Sequence, residues 1–280
     1  STLTPSLLKT ISCGFRYTLL LAYDTGDPFY DNQSTARSIR HWYRHHISPL
    51  LSLKKQILSL RLLRVANPSN KPGPVFNTMA RYAYHNLSTD YFYRVNDDTE
   101  LMTPWAEVFV RTLQSLSGSI GVVGPTCMDD NVFILTHDFT SRHHLDIFPS
   151  YYPVQLSDWF LDDWITCVYG KSRVFKATSV IVQHRAVHGT RYNVTYDNYE
   201  ILSQLLNSTR QLLRQYMISN LSLSLSELAL FDADPYQSEL RDPELIYHQP
   251  TFSIDDIPSS VSLSLSLSLS SHSHKSKRQR

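Results

Sequence analysis

The sequence predicts an α/β sandwich in which a central, mainly parallel mixed sheet is flanked by helices. Blocks typical of strands alternate with blocks typical of helices from about Phe15 to Glu200, as expected when strands are joined by helical crossovers. The run Tyr17–Tyr23 (YTLLLAY) is continuously apolar, which indicates a strand buried on both faces. A chain of 280 residues, 42% of them hydrophobic, is long enough for one large domain of this class and a tail.

The remaining strands are predicted from short apolar or aromatic runs between turn residues. They are Gln56–Ala66, whose leucines also allow a helix, then Tyr91–Val95, Ile120–Val123 and Val180–Val182. Between Phe76 and Leu87, apolar residues recur with the period of an amphipathic helix. A second helix is predicted at Asp158–Tyr169, ending before Gly170.

Breaks between these elements are marked by proline and glycine. We expect Lys71-Pro72-Gly73-Pro74 to form a break between regular elements. Gly124-Pro125 is expected to end the strand Ile120–Val123. The long segment Thr126–Pro149 carries His137, His143 and His144 without zinc-ligand spacing, and it is predicted to be a mobile loop over the site.

A change in composition near Ser219 predicts two regions, a folded domain at 1–218 and a tail at 219–280. The tail contains the Ser-Leu repeats Ser222–Ser226 and Ser262–Ser270. Their strict alternation would fit an amphipathic strand, but a repeated dipeptide is more simply low-complexity sequence, so the tail is predicted to be largely disordered.

Composition excludes several classes of function. The 26 Lys and Arg residues nearly balance 25 Asp and Glu, so nucleic acid is not an expected partner. No Gly-rich phosphate loop is present, and the 3 cysteines lack the spacing of a zinc site. No apolar run approaches the length that spans a bilayer, so no membrane segment is predicted.

An acidic run, Asn96-Asp97-Asp98, follows the predicted strand Tyr91–Val95, with Glu100 just beyond it. Clustered carboxylates repel one another unless a cation is present, and Mg²⁺ and Mn²⁺ prefer carboxylate and phosphate oxygens. The run therefore fits a site for a metal and a diphosphate. An acidic loop that faces water is the alternative for any such pair taken alone.

Two further polar groups occupy similar positions after a strand or at the start of a helix. Asp162 and Asp163 lie in the predicted first turn of a helix, where the helix dipole favours an ionised carboxylate that can accept a proton. His184 and His188 follow the predicted strand Val180–Val182, and a neutral imidazole could complete an oxygen-rich metal shell. Helix-terminal charge and solvated histidines are the corresponding structural alternatives.

The three groups together, and the strings that carry them, resemble GT-A glycosyltransferases. The matching strings are YAYHNLSTDYFYRVNDDTEL, GVVGPTC, ILTHDF, HLDIF, DWFLDDWITCVYG and HGTRY. They resemble in particular the glycosyltransferase-like C-terminal domain of the growth-regulating oestrogen receptor binding protein family and its stand-alone relatives. The resemblance spans about Tyr17 to Tyr192 and leaves out the Ser-Leu tail.

That resemblance implies a GT-A-like sandwich, a UDP-sugar donor and a divalent metal, Mn²⁺ or Mg²⁺. The metal would be held by Asp98, with Asp97 as a further ligand or ribose contact, and by a histidine. His188 is the better candidate for that histidine and His184 the second. Asn96 stands where the family's acidic motif usually begins with Asp, which leaves Asp98 as the principal ligand.

The resemblance also implies roles around the donor and the acceptor. Asp163 or Asp162 would be the base that deprotonates a hydroxyl of a protein or glycan acceptor. Asp24 and Asp27 match the edge that usually contacts the nucleotide, and Arg81 would pair with the diphosphate.

The resulting hypothesis is a metal-dependent glycosyltransferase of the inverting type. The first alternative is a GT-A-like fold kept as a catalytically inactive interaction or carbohydrate-binding module, since fold does not fix activity. The second is a metal-dependent phosphoesterase, which the near-neutral charge disfavours.

Overall fold

A mixed sheet of eight strands, flanked by helices, forms the centre of the computed structural model. This confirms the α/β class and the mixed sheet. The structure describes residues 2–128, 133–185, 199–221, 223–232 and 262–269. The strands are β1 (Arg16–Asp24), β2 (Ile57–Val65), β3 (Tyr91–Arg94), β4 (Thr99–Leu101), β5 (Val122–Cys127), β6 (Asp138–Ser141), β7 (Val174–His184) and β8 (Ser262–Leu269).

The helices occupy the connections between these strands. They are α1 (Leu3–Thr10), α2 (Gln33–Trp42), α3 (Ser48–Leu53), α4 (Pro72–Asn86), α5 (Ala106–Gln114), α6 (His143–Ile147), α7 (Leu161–Val168), α8 (Tyr199–Asn220) and α9 (Leu225–Asp232), with a π-helical stretch at Tyr43–Ile47 between α2 and α3. Within the described parts of the chain, no helix is both long and apolar enough to cross a membrane.

The strand order is β2-β1-β8-β3-β6-β5-β7-β4. The pairs β2/β1, β1/β8, β8/β3 and β5/β7 are parallel, whereas β6 is antiparallel to both neighbours and β4 is antiparallel to β7. All described strands except β4 and β6 therefore run in one direction. Their carboxyl ends meet at one edge of the sheet, where β4 and β6 begin.

Pro72 is accommodated at the start of α4, the helix that follows the first βαβ unit. The predicted strand at Gln56–Ala66 is confirmed as β2, parallel to β1. The expected break at Lys71–Pro74 is wrong, because α4 begins at Pro72. Proline is favoured in the first turn of a helix, where the backbone N–H that it lacks would have no acceptor within the helix. A Cβ on Gly73 would lie 2.8 Å from the carbonyl oxygen of Ser157, so only glycine lets this turn approach so closely.

Alternation along β3 divides the core between its two faces. On one face, the Tyr93 ring lies 4.7 Å from Trp105 and 5.4 Å from Phe109 between centroids, against α5. On the other face, Phe92 packs on Tyr151 at 6.1 Å. Every residue of β3 is buried, as expected of a strand covered on both faces.

The predicted loop Thr126–Pro149 is wrong as a whole, because it contains β6 and α6. The strand before it continues through Gly124 and Pro125 to Cys127, with a register shift after Pro125. Strand β6 (DFTS) is too short and too polar to give an apolar run. It is held instead by antiparallel pairing with β3 on one side and β5 on the other.

The Ser-Leu repeat contributes a central strand, which corrects the prediction of a disordered tail for Ser262–Leu269. Strand β8 lies between β1 and β3, parallel to both, and Leu263 and Ser264 are fully buried. Ser264 Oγ lies 2.8 Å from Thr89 Oγ1, so the hydroxyl is paired inside the sheet. The predicted boundary at residue 218 also falls inside α8.

Truncating Leu263 tests this placement. Leu263→Ala is expected to lower the free energy of unfolding by about 2–5 kcal/mol, because it opens a cavity beside the central strands. Leu53→Ala, at a position 83% exposed, should change it by no more than about 0.5 kcal/mol. Urea denaturation measures both, and equal midpoints would contradict the buried position of β8.

Candidate active site

The predicted polar groups come together because of strand direction. Strands β1, β2, β3 and β7 end at the same edge of the sheet, and ligands of open α/β sheets bind beyond such carboxyl ends. Asn96, Asp97 and Asp98 form the turn from β3 to β4 at this edge, closed by a 3.2 Å hydrogen bond from the Thr99 amide to the Asn96 carbonyl. Asparagine is favoured at the first position of such turns, so the turn geometry alone accounts for an asparagine at position 96.

Asp98 and His184 are in direct contact. Thr99 pairs with His184 across the antiparallel β4/β7 ladder, and this register brings the carboxylate beside the ring. Asp98 Oδ1 lies 2.9 Å from His184 Nε2, and both side chains are between a quarter and a third exposed. A partly exposed carboxylate and a partly exposed imidazole thus lie in contact at the sheet edge.

A second histidine, His137, lies behind this pair. Its ring is fully buried, 6.1 Å from the ring of His184 between centroids, and its Nε2 lies 2.7 Å from Thr99 Oγ1. Burial lowers the pKa of His137 well below its usual value, and the positive charge of Arg94 lowers it further. The His137 ring is therefore uncharged, and it packs behind Thr99 and His184.

Asp97, Asp24 and Asp27 border the same edge near Tyr30. The charges of Asp97 and Asp27 raise the pKa of Tyr30 after the larger effect of burial, so both carboxylates are near its hydroxyl. Asp27 Oδ1 accepts from the backbone amides of Phe29 (2.9 Å) and Tyr30 (2.7 Å), which fixes the turn after β1. Burial likewise raises the pKa of Asp24, at the end of β1.

The last residue of β3, Arg94, is a buried cation with four partners. Its Nε lies 2.9 Å from both Asp138 Oδ2 and the Tyr152 hydroxyl, and its Nη1 donates to the Thr136 carbonyl at 2.6 Å. Its Nη2 donates to Asp162. Arg94 and Asp138 are also opposite each other in the β3/β6 register, so the strand pairing itself brings their side chains together.

Asp138 is the anionic centre of this network. Besides Arg94, its carboxylate accepts from the hydroxyls of Tyr151 and Tyr152, the latter at 2.6 Å. Burial and the neighbouring carboxylate hold the pKa of both phenols well above their usual value, so they remain donors. A buried ion pair needs such extra hydrogen bonds to offset the loss of hydration.

Asp162 connects the buried network to the surface. Burial raises its pKa to about 6, against the opposing effect of the Arg94 charge, while its side chain retains 32% exposure. Burial also raises the pKa of Asp163. Both residues lie in the first turn of α7, which confirms their predicted position.

The start of α7 is unusual in its backbone. The helix begins at Leu161, three residues later than predicted, because Phe160 adopts a left-handed conformation with φ of 62°. Such a conformation in an aromatic residue is strained, and strain of this kind is often found at functional sites. Trp159, which is 40% exposed, directly precedes Phe160 in the chain.

Other predicted site residues lie elsewhere. Arg81 is on the outer face of α4 and lines a cavity whose lining includes none of Asp24, Asp27, Asp97 and Asp98. His188, the histidine ligand that the resemblance favours, is outside the described residues. His137 and His144, expected in a mobile loop, are buried, because each has hydrogen-bond partners inside the fold.

Three residues of the site had no role in the sequence prediction: Arg94, His137 and Asp138. A signal for Arg94 was present, since a charged residue inside the aromatic run YFYRV requires a buried partner. The partner, Asp138, has no comparable signal because β6 has no apolar pattern.

Within the described ranges, no group of three or more His, Cys, Asp and Glu side chains is arranged to hold a metal. The Asp98–His184 pair offers two donors. Adjacent ligands of an octahedral ion with bonds of ~2.1 Å are about 3 Å apart, so the 2.9 Å separation fits two positions of one shell.

Comparisons with known proteins add no assignment. No family model matches the chain, and no curated protein matches it.

The Arg94 network yields a stability prediction. Arg94→Leu leaves the Asp138 carboxylate buried without its cation and is expected to lower the free energy of unfolding by about 3–5 kcal/mol. Arg214→Leu is the control, because it removes an exposed pair with Asp232 at 3.0 Å that contributes little. If both variants unfold at the same urea concentration, Asp138 does not depend on the arginine.

A second prediction concerns acid stability. Burial lowers the pKa of His144 to about 4, and its ring nitrogens lie 2.6 Å from the Tyr169 hydroxyl and 2.8 Å from the Tyr151 carbonyl oxygen. An unfolded histidine titrates near ~6.5. The neutral ring therefore stabilises the folded state above about pH 6.5. This contribution decreases as the pH falls from about 6.5 toward the folded pKa of about 4, and the total loss of unfolding free energy is about 3 kcal/mol.

His144→Gln should flatten the decrease in unfolding free energy between about pH 7 and about pH 4, measured by urea denaturation. His143→Gln changes the exposed neighbouring residue and should keep the wild-type slope. The opposite contribution of Asp162, whose raised pKa favours the folded state in acid, is common to all three proteins and cancels. Equal slopes in wild type and His144→Gln would assign the acid response to another group.

Proposed function

We propose that the chain is a GT-A-type glycosyltransferase that moves a sugar from a UDP-sugar to a hydroxyl acceptor. The observation that carries the proposal is the 2.9 Å contact of Asp98 with His184 at the sheet edge where Arg94 holds Asp162. A pair of metal-type donors and a carboxylate with a raised pKa thus share one end of an α/β sheet, the usual place for ligands in such folds.

The metal would be Mn²⁺ or Mg²⁺, with Asp98 and His184 as protein ligands. Asp97 and His188 are further candidates, the latter outside the described residues. These ions commonly bind through one or two carboxylates and complete their shell with water and substrate phosphates. When bound, such an ion offsets the charge that develops on a departing diphosphate.

The nucleoside of the donor would lie beside β1. Tyr30 presents a half-buried ring there, 6.5 Å from Tyr23 between centroids, and Asp97 and Asp27 are within electrostatic reach of its hydroxyl. An aromatic face can stack on a base, while a carboxylate can accept from ribose hydroxyls. Asp97 and Asp24 are the ribose candidates, and Asp27 Oδ1 accepts from the backbone amides of Phe29 and Tyr30.

Asp162 is the preferred base. A general base works best when its pKa is near the operating pH, and that of Asp162 is raised to about 6. Its bond to Arg94 fixes the position of one carboxylate oxygen, which leaves the other to accept the proton of the attacking hydroxyl. Asp163 is the second candidate, and Trp159 offers an exposed ring on which a sugar can stack.

Donor binding tests the proposal directly. In a thermal-shift series with UDP-sugars, we expect an increase in Tm of roughly 5–10 °C at ~100 Kd, and only when Mn²⁺ is present. Asp98→Ala should abolish the increase, whereas Asp232→Ala, which alters an exposed carboxylate of α9, should keep it. Indifference to every UDP-sugar in the presence of Mn²⁺ would reject the donor site.

The same proteins separate an enzyme from a binding module. Asp162→Asn should retain metal-dependent donor binding but lose about 10²–10⁴-fold of the donor hydrolysis rate. The non-catalytic alternative is favoured by Asn96, which replaces the usual first Asp of the motif. Binding without hydrolysis or transfer by the wild-type protein would select that module.

A further inference from the structure

The cavity that Arg81 lines is on the outer side of α4, and none of the acidic residues at the sheet edge lines it. Its volume is about 720 Å³, within the range of small-molecule sites. Residues of α4 one turn apart form one wall, Asn77, Arg81 and His85, and α6 with the segment after it forms the other. Spacing of this kind places side chains on a single helix face.

The walls of the cavity are held by internal hydrogen bonds. The Asn77 side chain donates to the Tyr152 carbonyl at 2.9 Å and accepts from the Tyr152 amide at 2.7 Å. The Tyr84 hydroxyl donates to Asp146, and the Arg142 guanidinium lies 4.4 Å from the centre of the Tyr84 ring. A ligand would therefore enter a preformed site, with little ordering cost.

The cavity carries the positive charge of Arg81, which no carboxylate in the described parts of the chain compensates. Arg81 is exposed and makes no ion pair with any described residue. The nearby carboxylate, Asp146, already accepts from Tyr84 and lies 2.8 Å from His143 Nδ1. An anion beside Arg81 would gain a charge-assisted, two-pronged contact.

Thr78 and Ser150 add two hydroxyl groups to the lining, and most of the remaining lining is apolar. Val154 is 74% exposed. Further apolar surface is contributed by Pro74, Leu145 and Pro149. Apolar walls with one convergent cation are suited to an organic acid whose body is aromatic or aliphatic. We propose that this cavity binds a small amphipathic carboxylate, with the carboxylate on Arg81 and the apolar body against Val154 and Leu145.

The probe for this site is 2-naphthoate, with the neutral 2-naphthamide as its matched control, titrated by calorimetry. We expect saturable binding of one naphthoate per chain and at least about tenfold weaker binding of the amide, which lacks the charge. Arg81→Gln should weaken naphthoate about tenfold and leave the amide unchanged. Arg37→Gln, an exposed arginine of α2, should change neither.

Val154→Asp provides a second test at a position whose exposure makes unfolding unexpected, and it should weaken naphthoate by repulsion. Equal affinity for the acid and the amide, or an unchanged affinity in Arg81→Gln, would overturn the proposal. Asp98→Ala should bind naphthoate normally, so the failure of the donor site and the failure of this cavity are distinguishable.

Discussion

A single buried cation, Arg94, sets the constraint that the rest of the structure must satisfy. A guanidinium in the interior is tolerated only when every donor has a partner, because its lost hydration is otherwise uncompensated. Its partners come from β6, from the segment before it, from Tyr152 and from α7. The arginine therefore fixes where four parts of the chain meet, and hydrophobic packing alone would not define that junction.

The same cation determines the chemistry at the sheet edge. It opposes the effect of burial on Asp162, whose pKa is about 6, and it helps to keep His137 neutral. Position and protonation are thus set by one interaction, so the carboxylate cannot be moved without changing its proton affinity. Because of this coupling, residues of the network such as Asp138 are part of the buried core and of the candidate site at the same time.

Much of the fold could be predicted from patterns that one segment carries alone. The apolar run of β1, the helical period of α4 and the acidic first turn of α7 are local signals, and each was found. Strand β6 was missed because its stability comes from two neighbours rather than from its own four residues. The contact of Asp98 with His184 depends on the β4/β7 register, which no local pattern encodes.

The position of β8 has a consequence for biosynthesis. Among the described strands it leaves the ribosome last, yet it joins β1 to β3 in the middle of the sheet. Until β8 emerges, the sheet consists of two separate parts, the pair β2/β1 and the strands β3, β6, β5, β7 and β4. Strand β1 in the first part and strand β3 in the second then each have an unpaired edge. Such edges invite pairing with other chains. The sheet therefore cannot close until β8 has emerged, and in the meantime its open edges favour aggregation and chaperone binding.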